Sequence, residues 1–244
     1  MKLIETFKSS NFNKRRGSDN LKFIILHYTA LGSCKEALEH MCNIKNKVSS
    51  HFLISKDGKI YYLVDIKNRA WHAGLSYWKG ITDMNSSSIG IELDYPGLCN
   101  VDKKYSTNQL NALCKLIKIL KKTHQIDKKN ILGHSDIAPY RKIDPGKNFP
   151  WSKLNKAGLA YAPKKGFIKK NKKTKEELEK MDNYKVLKML NNIGYDTRGI
   201  QAGNKKFKLL IEAYQRHYRQ SEISGKIDLE TLELLKQHNK DLLT

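Results

Sequence analysis

Residues 22–29, KFIILHYT, are β-branched, aromatic and apolar almost throughout and predict a strand. Two shorter segments, 50–55 and 59–64, flank Asp57-Gly58, a dipeptide suited to the tight turn of a hairpin. Between the first strand and this hairpin, Ser33 and Glu36 stand at capping-box spacing, and Ala37, Leu38, Met41 and Cys42 share one face of a short helix. SIGIEL at 88–93 predicts another strand. Ser106 with Gln109 opens a longer helix whose Leu110, Leu113, Cys114, Ile117 and Leu120 form an apolar stripe with lysines outside it. Residues 130–133 predict a last short strand. This alternation predicts an α/β fold, a mixed β-sheet flanked by helices.

From residue 155 to 175 the chain turns to Lys, Gly, Ala and Pro without periodicity, the profile of a linker. Three helical patterns follow. Thr174 and Glu177 cap the first, Phe207, Leu210, Ile211, Tyr214 and Tyr218 stripe the second, and Asp228 starts a third carrying Leu232 and Leu235. The expected organisation is a first domain over residues 1–155, a linker over 156–173 and a small three-helix domain over 174–244. A bundle of that size has a marginal core of its own, so it is either a separable unit or one that packs on the first domain and stabilises it.

Composition narrows the classes. With 39% hydrophobic residues the chain can bury a core, and no apolar run approaches the roughly 18 residues of a membrane-spanning helix. The first twenty residues lack the continuous apolar stretch of a secretory signal, so the default location is the cytoplasm, with export by a non-standard route as the alternative. Lys and Arg number 46 against 24 Asp and Glu, a net charge of +22. That excess is diffuse and mostly Lys, whereas base-specific readers of nucleic acid lean on Arg; no specific nucleic-acid partner is expected. Cys34, Cys42, Cys99 and Cys114 show no structural-zinc spacing and read as buried free thiols. No pattern in the chain sets an oligomeric state.

The chemistry concentrates at His27, at the end of the first strand, at Glu92, at the end of SIGIEL, and in GHSDIAPYRKIDPGKNFPW from Gly133 to Trp151. Strand ends and Pro/Gly-rich loops on a rigid sheet are where reactive groups can be exposed yet held still. Singly, each residue has an ordinary structural explanation. Together, two His and one carboxylate form a catalytic zinc set that leaves a fourth position open, and His27, His134 and Asp144 supply it.

These stretches resemble the zinc-dependent N-acetylmuramoyl-L-alanine amidases of the type 2 class, relatives of the peptidoglycan recognition proteins. The likeness rests on IILHYTA (24–30), SSHFLISKDGKIYYLV (49–64), WHAG (71–74), SIGIEL (88–93) and the 133–151 segment, in that order. The C-terminal part, with NIGYD (192–196), AYQRHYRQ (213–220) and GKIDLETLELL (225–235), resembles a peptidoglycan-binding three-helix domain. The resemblance implies one Zn2+ per chain on His27, His134 and Asp144, with Glu92 as the proton-transfer group and Lys142 as the oxyanion stabiliser. It implies hydrolysis of the amide between the lactyl group of N-acetylmuramic acid and L-alanine, in peptidoglycan or its muropeptide fragments. The alternative is a recognition protein that binds peptidoglycan without cutting it. Trp71, His72 and Asn85 fall in segments that line the family's groove and are candidate substrate contacts; His51 reads as structural. Tyr140 stands where the family commonly has Gly, a departure expected to alter the loop and leave the ligands untouched.

Overall fold

Strand β3 (Phe23–Tyr28) is central. Its alternation sends Ile24 and Leu26 to one face of the sheet and Phe23 and Ile25 to the other, and both pairs are buried. The computed structural model describes residues 2–17, 21–97, 103–164, 182–201 and 203–243. The six-stranded sheet runs in the order β1 (Leu3–Ile4), β5 (Ile60–Tyr62), β4 (Phe52–Ile54), β7 (Ser88–Leu93), β3, β8 (Ile131–Gly133). The β4–β5 hairpin around Asp57-Gly58 is antiparallel, and the other neighbours pair parallel. A two-stranded antiparallel sheet joins β2 (Phe12–Lys14) to β6 (Asn68–Ala70).

On the Ile24 and Leu26 face lies helix α3 (Thr107–His124), opened by Ser106, whose Oγ accepts the N–H of Gln109 at 3.1 Å. Its Leu110, Leu113, Leu116, Ile117 and Leu120 enter one apolar core with Ile89 and Ile91 of β7, while Cys114 packs on the edge of that core. Helix α1 (Cys34–Cys42), capped by Ser33 as its spacing predicts, covers Leu53, Leu63 and Val64. Cys34, Cys42 and Cys114 are free and part-buried; Cys99 lies outside the described residues.

Four further helices follow the sheet's edge and the linker region: α5 (Trp151–Lys156), α6 (Asn183–Ile193), α7 (Lys205–Tyr218) and α8 (Leu229–Asp241). Each of the last three opens on a side-chain cap, from Asp182, Asn204 and Asp228 respectively. The expected cap at Thr174 and Glu177 lies outside the described residues. Val186, Leu190, Leu210, Tyr214 and Leu235 from these helices close over Phe23, Ile25 and Leu132, with Trp78 and Ile137 between them. The C-terminal helices therefore share a core with the second face of the sheet. No described helix is long and apolar enough to cross a membrane.

Candidate metal centre

In the sheet, register brings the first two functional residues together. His27 of β3 and Glu92 of β7 are direct partners across parallel strands, and Leu26 pairs with Gly133, the residue before His134. His134 then opens a short helix, α2 (Met84–Ser87) and α4 (His134–Ile137) being the two single-turn helices that flank β7 and β8. Asp144 returns through the following loop, and its carbonyl accepts the Ser135 N–H at 2.9 Å. That return depends on Gly133, because a Cβ there would stand 2.7 Å from Cδ of Pro145.

Three acceptor atoms converge as a result. His27 Nδ1 is 3.0 Å from His134 Nδ1 and 3.1 Å from Asp144 Oδ2, and His134 Nδ1 is 3.0 Å from the same oxygen. Among the described residues this is the group of His, Cys, Asp and Glu able to hold a metal ion. The second ring nitrogens show which atoms carry protons. His134 Nε2 faces the carbonyl of Ala73 at 3.0 Å; a carbonyl only accepts, so the proton sits on Nε2 and Nδ1 presents a lone pair. His27 Nε2 faces His72 Nδ1 at 3.0 Å, His72 Nε2 faces Ser88 Oγ at 3.4 Å, and Ser88 Oγ donates to the Met84 carbonyl at 2.5 Å. That relay ends on a pure acceptor and runs one way, leaving His27 Nδ1 unprotonated as well.

Two lone pairs and a carboxylate oxygen about one van der Waals contact apart repel unless a cation lies among them. A tetrahedral zinc with bonds of about 2.0–2.1 Å places its ligands roughly 3.3 Å apart, close to the triangle seen here. Outer partners that orient a ligating imidazole are characteristic of metal sites. Burial, reinforced by His134, lowers His27 to a pKa of about 4 and keeps the ring neutral, as a ligand must be. Burial pulls Asp144 up, but His134 and His27 outweigh it and hold the carboxyl well below the usual carboxylate range.

Glu92 and Lys142 line the same cavity, of about 220 Å³, as His27, His134, Asp144 and His72. Burial, then the neighbouring Asp144 charge, pushes Glu92 up to about 8 against the pull of Lys142. Its Oε2 is enclosed and has no hydrogen-bond partner among the described residues.

Of the three groove candidates, His72 lines this cavity and Asn85 the larger one beside it. His72 is buried behind His27, its ring fitted over Gly90 of β7, where a Cβ would come within 2.5 Å of it. Asn85 is buried too, and its Oδ1 accepts the backbone N–H groups of His72 at 3.0 Å and Ala73 at 2.7 Å, so it holds the partners of His27 and His134. Trp71 lines neither this cavity nor the larger one beside it, and its indole N–H donates to Asn13 at 3.1 Å. His51 is structural as expected, with Nδ1 accepting the Gly90 N–H at 2.9 Å. Asp136 escaped the sequence reading. It is fully buried beside the site and accepts from Gly133 N at 2.7 Å, Tyr195 Oη at 2.6 Å and His217 Nδ1 at 2.7 Å. Tyr140 likewise reaches the C-terminal part, donating to the Asp196 carbonyl.

Comparison with known proteins gives one answer. The family described as N-acetylmuramoyl-L-alanine amidase matches residues 17–147. The N-acetylmuramoyl-L-alanine amidase AmiD of Escherichia coli is 32% identical over 224 residues, spanning 86% of this chain and 79% of that protein. The solved structure of the same amidase, in complex with anhydro-N-acetylmuramic acid-L-Ala-D-γ-Glu-L-Lys as substrate, aligns with a TM-score of 0.79 at 28% identity. It covers 96% of this chain and 98% of that one. AmpDh3 of Pseudomonas aeruginosa aligns with a TM-score of 0.79 at 26% identity over 99% of this chain and 100% of its own.

Proposed function

This chain belongs to the N-acetylmuramoyl-L-alanine amidase family, and we propose that it holds one zinc ion on His27, His134 and Asp144 and hydrolyses the lactyl–L-alanine amide of peptidoglycan or its muropeptides. The observation that carries the zinc assignment is the convergence of three acceptor atoms with no proton available among them. Zinc in such a site supplies Lewis acidity, lowering the pKa of a water and polarising a carbonyl.

The protein's own groups do the rest. Glu92, in register beside His27, takes the proton of the attacking water and returns it to the amine of the departing L-alanine; a carboxyl lifted by burial suits both halves of that transfer. Lys142 puts a positive charge on the cavity wall where the amide oxygen becomes negative. His72 and the Ala73 carbonyl fix the ring planes of His27 and His134, and Asn85 fixes His72 and Ala73 in turn. We infer that these three residues position the ligands. The helical part from residue 182 onward braces the loop that carries His134 and Asp144.

The test is zinc content of the purified chain together with hydrolysis of the muropeptide bound by AmiD. We expect about one zinc per chain, release of the L-alanine-bearing peptide, loss of activity on chelation and its return with zinc. Full hydrolysis by a metal-free preparation would sink the mechanism.

A further inference from the structure

Beside the metal cavity lies a larger one, of about 660 Å³, that shares no lining residue with it. Its basic residues are unusual for this chain. Of the 46 Lys and Arg in the sequence only seven are Arg, yet Arg16, Arg69, Arg141 and Arg198 all line this cavity and no lysine does. A diffuse surface charge would draw mainly on lysine. Arginine differs in presenting a planar fork that meets a carboxylate with two parallel hydrogen bonds.

Three of the four forks are held in place. Arg69 is bidentate with Asp83, with Nη2 at 2.8 Å from Oδ1 and Nε at 3.2 Å from Oδ2. Arg198 pairs with Asp196 at 2.8 Å and 2.9 Å and lies 4.2 Å over the Tyr77 ring. Arg141 Nη2 donates to the carbonyls of Ala73 and Leu75, both at 2.7 Å, while its Nη1 and Nε make no hydrogen bond among the described residues. The Arg16 guanidinium makes none among them either. Against these four cations the wall carries Asp83 and Asp196, leaving a surplus of two positive charges. The cavity has the size of a small-molecule site, and Leu75, 87% exposed, gives its rim an apolar contact.

We propose that this cavity is a second binding site, for a peptide bearing two free carboxylates. The Arg16 fork and the free edge of Arg141, unpartnered among the described residues, match such a ligand together with the surplus of two charges, whereas the two aspartates in the wall disfavour the denser charge of a phosphate. Arg141 links the two sites physically, since its Nη2 shares the Ala73 carbonyl with His134 and lies 3.4 Å from His134 Nε2. The choice of a wall-type acidic peptide rests on the amidase reading; the cavity's preference for carboxylates does not.

Calorimetric titration of the zinc-loaded full chain tests this, with L-Ala-D-γ-Glu-L-Lys as probe and its diamide as the control that lacks both carboxylates. The tripeptide should bind, the diamide should bind at least tenfold more weakly, and Arg16→Gln/Arg198→Gln should weaken the tripeptide by about tenfold at an unchanged melting temperature. Arg16→Lys/Arg198→Lys, which keeps the charge and removes the fork, should recover only part of the loss. Equal affinity of the double Gln variant, equal affinity for the diamide, or displacement of the tripeptide by equimolar inorganic phosphate overturns the proposal. Tripeptide binding that depends on the arginines in a chain that hydrolyses no muropeptide supports the cavity assignment and overturns the amidase reading alone.

Discussion

Asp136 in α4 and Asp144 in the loop that follows it are buried to 0% and 6% exposure, and both face histidine nitrogens. What separates them is the polarity of their neighbours. Asp136 is met by an amide N–H, a phenol O–H and an imidazole, groups able to donate, and it closes the seam to the C-terminal helices. Asp144 is met by two imidazole nitrogens whose protons are committed on their far sides. A buried carboxylate satisfied by donors is structural, and one surrounded by lone pairs is waiting for a cation. Residue type and burial do not distinguish the two; the partners of the second nitrogens of His27 and His134 do.

Substitution at these acids and their partners should separate the roles, and the largest effect on hydrolysis belongs to Asp144→Ala. It should lose stoichiometric zinc, measured by atomic absorption, and its turnover should fall beyond the loss seen on removing a proton-transfer group. Next comes Glu92→Gln, which keeps zinc while turnover drops about 10²- to 10⁴-fold; near-normal turnover with zinc bound would falsify its role in proton transfer. His72→Ala removes the acceptor that fixes the His27 ring and should weaken zinc affinity by about 10- to 100-fold, read by competition with a chromogenic chelator. An unchanged affinity would show that His27 needs no such partner. The smallest effect on hydrolysis is expected of Asp136→Asn, whose amide cannot accept from all three donors. It should cost about 1–3 kcal/mol of stability in denaturant melts while zinc content stays near one. Loss of zinc in that variant would erase the distinction between the two acids.

Elements governed by local pattern were legible in the sequence. β3, β7, the Asp57-Gly58 hairpin and the caps of α1 and α3 need only neighbours within a few residues, and all form as read. β1, β2 and β6 were missed because they are two or three residues long and exist through distant partners, Leu3 with Ile60 and Phe12 with Ala70. The candidate ligand set, which the fold brings together, was legible because its residues sit inside recognisable motifs. The support behind it was not, since His72 reaches His27 only because Gly90, across the sheet, lacks a Cβ. Asp136 did leave a trace, an acid three residues after Gly133 inside GHSDIAP, but its partners Tyr195 and His217 lie far along the chain.

The order of the main sheet also bears on colloidal behaviour. Its two outer strands are β1, of two residues, and β8, of three. An exposed strand edge is a template on which a foreign chain can add, and edges this short give such a chain few amides to grip. β8 is blocked further, because Pro145 presses on Gly133 and the backbone turns at once into a helix at His134. The edge strand that leads into the candidate ligand His134 is thereby also poorly able to seed intermolecular β-aggregation.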